Sequence, residues 1–236
     1  MITYAIAGGE LTVLGAFGFW VGGRSIHLPL QSRRVLGLLA VDGAALPRAT
    51  IAGRLWSECT ISSASSKLRN ALWHIRRVDA AAVMSHGEAL SLGEGLRVDL
   101  DEARACAHQL RQDPIRRAGG EVDLLSRDLL PDWDEDWLTI ERERLKQVRM
   151  HALERLSASL RHDGLYAEAI EAALAAVIIE PLRESAQTAL VDAHLGEGNV
   201  SEAIRQYEAY RVVLRDELGI EPSERLRSLV PVAPGR

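Results

Sequence analysis

The stretch ISSASSKLRNALWHIRRV, at positions 61–78, decides how we interpret the rest of the chain. Apolar residues recur in it at the spacing of one face of an α-helix, namely Leu68, Ala71, Leu72, Ile75 and Val78. At about 100° per residue, the opposite face carries Ser63, Ser66, Asn70, Trp73 and Arg77. The stretch therefore predicts an amphipathic helix that buries one face in a core.

The outer side of this helix carries hydroxyls, an amide and cations, and it holds no acidic residue. Lys67, Arg69, His74 and Arg76 lie on its flanks. A serine-rich helix start leaves backbone amides free to meet an anion, and asparagine and arginine can bind base edges in the major groove. This segment alone is compatible with two interpretations, a DNA-recognition helix and an ordinary solvated surface helix.

Charge is distributed unevenly along the 236 residues. Residues 1–99 hold 10 Lys and Arg against 7 Asp and Glu, a balance of +3, and residues 100–236 hold 18 against 26, a balance of −8, which together give the net charge of −5. The length and the large apolar fraction indicate two small, helix-rich domains with ample core. The asymmetry permits a basic face on the first half.

The sequence offers no pattern for a metal site, a signal peptide or a membrane span. Cys59 and Cys106 lack metal-ligand spacing, so we expect two ordinary buried thiols in a reducing cytoplasm. The amino terminus has no basic region before its apolar run, and no apolar stretch approaches about 20 residues. We therefore expect a cytoplasmic protein, associated with the nucleoid if it binds DNA, with no cofactor.

The first 99 residues follow the order strands, three helices and a hairpin. Residues 10–30 alternate in polarity around Gly22-Gly23, which predicts short strands joined by a tight turn. Helices are predicted over 31–42 and about 48–57, with Trp56 in the core, before the helix at 61–78. Strands over 82–84 and 89–92 surround a turn at 86–88. This is the order of a winged helix with a leading sheet, in which the third helix enters the major groove.

A repeat marks the second half. The heptapeptide beginning at Gly164 recurs at Gly198, an offset of 34 residues, which is the tetratricopeptide period. Ala169 and Ala203 occupy equivalent positions, where a small side chain lets antiparallel helices approach closely. Ahead of the repeat, a helix that begins near Pro131 is predicted with an apolar stripe at Trp137, Ile140, Leu145, Val148, Leu153, Leu156 and Leu160. We expect Trp133 and Trp137 to be packing anchors, with a ligand cage as the alternative.

Several segments resemble one known family. LPRATIAGRLW at 46–56 and LRNALWHIRR at 68–77 resemble the DNA-binding domain of the Streptomyces antibiotic regulatory proteins, which is similar to the output domain of OmpR-type regulators. WDEDWLTIERERL at 133–145, the repeat, and LRDELGIEPSERLRSL at 214–229 resemble the bacterial transcriptional activation domain of the same regulators. The sequence departs from the usual wing pattern at Gly87-Glu88-Ala89, and Trp73 is unusually bulky for a groove-facing position.

The resemblance predicts a mostly α protein with a small β component. An OmpR-type winged helix-turn-helix at 1–99 is followed by a tetratricopeptide-like, all-helical activation domain at 100–236. It implies a sequence-specific transcriptional regulator, by family likeness an activator. Such a regulator binds direct repeats near promoters, forms a homodimer at least on DNA and recruits RNA polymerase. The DNA-binding candidates are Ser63, Ser66, Lys67, Arg69, Asn70, Trp73, Arg76 and Arg77 in the third helix, with His86 and Arg97 as wing contacts.

Two other classes of function are alternatives to the regulator. The first is a tetratricopeptide adaptor whose winged helix serves protein contacts only, an option that the modest +3 charge of residues 1–99 leaves open. The second is an enzyme, which we do not expect because no phosphate loop, dinucleotide fingerprint, HExxH or GxSxG pattern is present. A basic stripe along Ser63, Asn70 and Arg77 would discriminate the regulator from the adaptor.

Overall fold

The computed structural model describes residues 9–112 and 120–231. It divides into two compact units: unit 1 comprises the described residues up to Glu102 together with Asp128–Arg142, and unit 2 comprises Ala103–Arg127 and Glu143 onward. The predicted domain boundary between residues 99 and 100 stays a prediction. The segment Asp128–Arg142, which we call the docking segment, lies beyond that boundary in sequence but belongs to unit 1.

Unit 1 begins with a small sheet. Its strands are β1 (Glu10–Thr12), β2 (Gly18–Val21), β3 (Arg24–Ser25) and β7 (Arg97–Val98), in the order β3-β2-β1-β7. Strands β1 and β2 are antiparallel, and β7 lies parallel to β1 with Leu11 beside Val98. Gly22 and Gly23 form the predicted turn, and both have positive φ, 56° and 75°, as a two-residue hairpin turn of the primed type requires.

Three helices and a second sheet complete the winged helix. The helices are α1 (Leu30–Asp42), α2 (Arg48–Leu55) and α3 (Ile61–Val78), and the strands are β4 (Leu46–Pro47), β5 (Val83–His86) and β6 (Ala89–Leu92), in the order β4-β6-β5. Gly43 ends α1 in the left-handed conformation, with φ 74°. Trp56 is 5% exposed, which confirms its predicted place in the core. The first strand of the wing extends to His86, so the turn is shorter than predicted.

Unit 2 is helical throughout its described part. Its elements lie in α4 (Asp99–Gln112), α5 (Glu121–Ser126), α6 (Asp136–His162), α7 (Tyr166–Ile179), α8 (Glu184–Glu197), α9 (Val200–Leu218) and α10 (Glu224–Arg227), of which α4 and α6 begin in unit 1. Gly164 and Gly198 both adopt positive φ before the two repeat helices. Ala169 and Ala203 are both fully buried, in agreement with close packing of antiparallel helices. The sequence also predicts a break after α4, at Asp113-Pro114 and Gly119, which lies outside the described residues.

The apolar stripe predicted for α6 is wrong at two positions. Ile140 is 63% exposed and Val148 is 37% exposed, whereas Leu138 and Met150 are buried instead. A straight helix of 27 residues does not keep one periodic face against a single neighbour over its whole length. The helix also begins at Asp136, so the residues from Leu129 onward approach it as a loop rather than as helix.

Candidate nucleic-acid interface

Helix α3 has the predicted bounds, Ile61–Val78, and a defined start. The Thr60 side chain caps it by accepting a hydrogen bond from the backbone N–H of Ser63, at 3.3 Å. Its buried side is formed by Ala64, Leu68, Ala71, Leu72 and Ile75. The hydroxyl of the fully buried Ser32, in α1, donates to the carbonyl of Ala71 at 3.1 Å. This bond and the apolar contacts fix which side of α3 is turned to solvent.

The opposite side of α3 is open within unit 1. All eight α3 residues predicted to bind DNA are exposed: Ser63, Ser66, Lys67, Arg69, Asn70, Trp73, Arg76 and Arg77. Trp73 is 53% exposed, and its ring lies edge-on to that of His74, with centroids 4.8 Å apart. The structure therefore brings these eight side chains together on one continuous surface.

The cations of α3 have neutral partners. Lys67 Nζ lies 3.0 Å from Cys59 Sγ, Arg69 Nη2 donates to Ser66 Oγ at 2.8 Å, and the Arg77 guanidinium lies 5.3 Å from the centroid of the Trp73 ring. Arg76 Nη2 donates to Ser85 Oγ in β5 at 2.7 Å. Among the residues that the structure describes, no carboxylate forms an ion pair with any of the four. No described residue therefore neutralises their positive charge.

Only one of the two residues predicted as wing contacts lies in the wing. His86 is exposed at the end of β5, where its Nε2 lies 3.0 Å from Ser91 Oγ. Arg97 lies outside the β5–β6 hairpin, in β7 of the first sheet, and its Nη2 forms an exposed ion pair with Glu10 at 3.1 Å. The description of Arg97 as a wing residue was wrong, because the chain leaves the hairpin at Leu92 and pairs with β1 instead.

Sequence reasoning missed Arg48 and Ser85. Arg48 is the first residue of α2, its backbone N–H donates to the carbonyl of Glu88 at 2.9 Å, and its Nη2 donates to Ser85 Oγ at 3.2 Å. Since Arg76 donates to the same hydroxyl, Ser85 holds two guanidinium groups together beside the wing. The sequence signal that could have indicated Arg48 is its position as a cation at the start of α2. In a helix-turn-helix, the helix before the recognition helix lies against the DNA backbone.

Neither cysteine belongs to a metal site in the part of the chain that the structure describes, where no three His, Cys, Asp or Glu side chains come together to hold an ion. Both thiols are free and only half-buried, so the expectation of buried thiols was wrong. Burial, with a smaller contribution from the charge of Glu121, raises the pKa of the Cys106 thiol above its ordinary value. No helix among the described residues is long and apolar enough to span a bilayer.

The fold thus defines a winged-helix protein that carries a tetratricopeptide-like helical unit. Residues 98–231, more than half of the chain, match the family described as bacterial transcriptional activator domain. The chain belongs to this family, and its relatives confirm the prediction of a Streptomyces antibiotic regulatory protein type of transcriptional regulator.

Two of those relatives are named as regulatory proteins rather than as enzymes. The chain is 32% identical over 235 residues to the regulatory protein AfsR of Streptomyces coelicolor, covering 92% of this chain and 23% of AfsR. It is 29% identical over 249 residues to the regulatory protein DnrI of Streptomyces peucetius, covering 93% of this chain and 90% of DnrI. The chain therefore spans about a quarter of the length of AfsR and most of the length of DnrI.

A solved structure supports the fold. EmbR of Mycobacterium tuberculosis, in complex with a low-affinity phosphopeptide, superposes with a TM-score of 0.73 at 19% sequence identity, and the match covers 95% of this chain and 66% of that one. At this identity the likeness concerns the fold alone. It agrees with the predicted combination of a winged helix and a helical domain.

Proposed function

We propose that the chain is a sequence-specific DNA-binding transcriptional activator that inserts α3 into the major groove of promoter DNA. The observation that carries the proposal is the exposed side of α3, on which Lys67, Arg69, Arg76 and Arg77 have no acidic partner among the described residues. Cations left without a carboxylate are available to phosphates and to base edges.

The residues of this face divide by the contact that each can make. Asn70 matches adenine and Arg77 matches guanine, as bidentate partners in the major groove. Ser63, Ser66, Lys67 and Arg69 lie near the start of the helix, where backbone amides and cations meet phosphate. Trp73 and Arg76 lie further along the helix, and His86 and the newly identified Arg48 and Ser85 flank it as phosphate contacts from the wing side.

Assembly and recruitment follow from the family. We propose that two protomers bind direct repeats near a promoter, with repeats about 10–11 base pairs apart so that both copies lie on one side of the duplex. The helical unit would then contact RNA polymerase, and the protein would be located at the nucleoid in the cytoplasm. The homodimer and the polymerase contact rest on the family assignment.

The adaptor alternative predicts a different surface. A protein that used its winged helix only for protein contacts would need no acid-free basic stripe, and the neutral partners of the α3 cations favour the regulator over it. The two functions also differ in salt dependence, because binding that neutralises phosphates weakens linearly in the logarithm of salt concentration.

A selection from fragmented genomic DNA, followed by fluorescence anisotropy on the selected fragments, tests the proposal. We expect the combined variant Arg69→Ala, Asn70→Ala and Arg77→Ala to lose specific binding, since the base-reading side chains of Asn70 and Arg77 contribute roughly 1–3 kcal/mol each and Arg69 adds a phosphate contact. The matched control, Arg205→Ala with Arg215→Ala, likewise removes two positive charges, from exposed positions on α9, and should bind as the wild type does. Intact specific binding by the triple variant would refute the assignment of α3 to the groove.

A further inference from the structure

The docking segment is part of the unit that contains α3. Its Leu129 forms an antiparallel bridge with Leu14, the Gly15 N–H donates to the carbonyl of Asp128 at 2.7 Å, and the Leu130 N–H donates to the carbonyl of Val13 at 2.9 Å. The segment lies within residues 98–231, which match the activator domain family. A piece of the activator-domain sequence is therefore built onto the winged helix.

The winged helix has a site shaped for this segment. The ring of Trp133 stacks on Phe17 with centroids 5.6 Å apart, and it lies so close to α1 that a Cβ on Gly37 would come within 2.9 Å of it. Arg142 donates hydrogen bonds to the carbonyls of Leu130 and, at 2.7 Å, of Trp133. These bonds hold the backbone of the segment in one conformation, in which Leu130 has a positive φ of 42°.

The segment delivers one carboxylate to the helix-turn-helix. Glu135 pairs with Arg34 of α1 through both of its oxygens, with Arg34 Nη2 donating to Oε2 at 2.8 Å and Arg34 Nε donating to Oε1. The same Nη2 donates at 2.7 Å to the carbonyl of Leu55, the last residue of α2. The two side chains are only 18% and 12% exposed. The pair is therefore shielded from solvent far more than an ordinary surface ion pair.

Arg34 also holds the residue that follows α2. Its guanidinium lies 6.0 Å from the centroid of the Trp56 ring, and the Oε1 atom of Gln31 accepts hydrogen bonds from both Arg34 Nη1, at 3.2 Å, and Trp56 Nε1, at 2.8 Å. Trp56 begins the short turn that ends at Thr60, the residue that caps α3. The end of α2, the turn and the start of α3 thus depend on where Arg34 is held.

We propose that Glu135 is a positioning residue for DNA binding: by holding Arg34 against the Leu55 carbonyl and Trp56, the activator-domain segment sets the orientation of α3 in the groove. The inference rests on the proposed DNA-binding function of α3. Without the carboxylate, a largely buried guanidinium loses its charged partner and turns toward water, which leaves the Leu55 carbonyl at a helix end without its donor. The turn before α3 then loosens while the core of α3 stays packed.

The variant Glu135→Gln in the full chain tests this, because it keeps the size of the side chain and removes its charge. Its matched control is Glu154→Gln in unit 2, where Glu154 Oε1 accepts from Arg183 Nε and Ser185 Oγ, both at 2.7 Å, and the pair is similarly shielded, at 23% and 17% exposure. Both variants are to be compared at a temperature where melting curves show each to be fully folded. If the role of Glu135 were merely structural, the two variants would then show the same amide exchange and the same affinity for DNA.

Hydrogen–deuterium exchange gives a first readout that needs no DNA. In Glu135→Gln we expect faster exchange at the amides of Cys59, Ser63 and Ala64, which are hydrogen-bonded across the turn and the first turn of α3, and no change there in Glu154→Gln. Unchanged exchange at these amides in Glu135→Gln would overturn the proposal even if the protein binds no DNA, so this result is separate from a failure of the proposed function.

Affinity for the selected DNA gives the second readout. We expect Glu135→Gln to weaken specific binding roughly fivefold or more, the scale at which coupled sites influence one another, with an unchanged salt slope because no phosphate contact is removed. Glu154→Gln should bind as the wild type does. Specific affinity in Glu135→Gln within twofold of that of Glu154→Gln, in a wild type that does bind specifically, would refute the role of Glu135.

Discussion

Helices α3 and α9 are of nearly equal length, 18 and 19 residues, and both expose cations, yet they treat them in opposite ways. On α9, Arg205 pairs with Glu202, and Arg211 and Arg215 both donate to Glu221, at 2.8 Å and 3.0 Å. On α3, the cations contact a thiol, two hydroxyls and an indole ring. The same residue types serve mutual neutralisation on one helix and leave an uncompensated positive surface on the other.

The difference concerns electrostatic potential more than stability. Exposed ion pairs contribute little to the free energy of unfolding, so the acids on α9 are not needed to hold that helix in place. Their effect is to cancel the positive field of the α9 arginines. Residues 100–236 carry an excess of acid, whereas the exposed side of α3 stays positive. Under the proposed function, this difference directs an anionic polymer to α3.

The largest effect is expected from the buried side of α3. Ile75 is fully buried, and Ile75→Ala should lower the free energy of unfolding by roughly 2–5 kcal/mol, through lost burial and the cavity that remains. The half-exposed Trp73 on the same helix should cost far less when replaced by alanine. Urea denaturation monitored by circular dichroism measures both. Equal losses would mean that the outer side of α3 is packed in solution and is not the open, positively charged surface that distinguishes α3 from α9.

A second prediction concerns the buried side of α9, where a small side chain is needed because the helices pack closely. Ala203 is fully buried, and Ala203→Leu should destabilise unit 2 by roughly 1–3 kcal/mol because the packed helices must move apart. Ala209 on the same helix is exposed, so Ala209→Leu is the matched control and should change stability little. Thermal unfolding of the two variants compares them directly, and tolerance of leucine at 203 would contradict close packing in the repeat.

A third, smaller effect separates the cations of the two helices. Lys67→Ala should weaken binding to every DNA sequence alike and reduce the slope of log affinity against log salt by about one unit, the value for one phosphate contact. Arg205→Ala removes the same charge from α9 and should leave the slope unchanged. Anisotropy titrations at several salt concentrations give both slopes. Equal slopes for Lys67→Ala and the wild type would remove Lys67 from the interface.

Local patterns made α3 predictable from the sequence, and long-range contacts limited the rest. The bounds of α3 and the turn at Gly22-Gly23 follow from periodicity and backbone preference, which neighbouring residues determine. The ion pair between Arg34 and Glu135 joins residues 101 positions apart, and nothing near either residue indicates the other. The packing of Trp133 over Gly37 could not be predicted from the sequence either, since a glycine within a helix has several possible explanations.

The candidate site shows the same division. Exposure of the eight α3 residues followed from the helical period, because an apolar face on one side fixes the other. Arg97 was misplaced because the sequence does not show which sheet a two-residue strand will join. Ser85 was missed because its importance lies in meeting Arg48 and Arg76 from two other elements, a meeting that only the folded chain creates.

The smallest effect is expected from low pH on the ion pairs that Arg211 and Arg215 form with Glu221. Hydrogen bonds from Arg211, and then from Arg215, hold the pKa of the Glu221 carboxyl below its ordinary value. A carboxyl whose folded pKa is lowered contributes stability above its unfolded pKa and loses that contribution as the pH falls through the folded pKa. The melting temperature of Glu221→Gln should therefore lie slightly below that of the wild type at neutral pH, and the difference should close as the pH falls below the ordinary glutamate pKa of about 4.3. Glu217→Gln, which removes a charge from an exposed position near the end of α9, is the control and should show no such convergence. If Glu221→Gln instead follows the wild type at every pH, the arginines of α9 are not held by Glu221 in solution, and the contrast with α3 is weaker than the structure indicates.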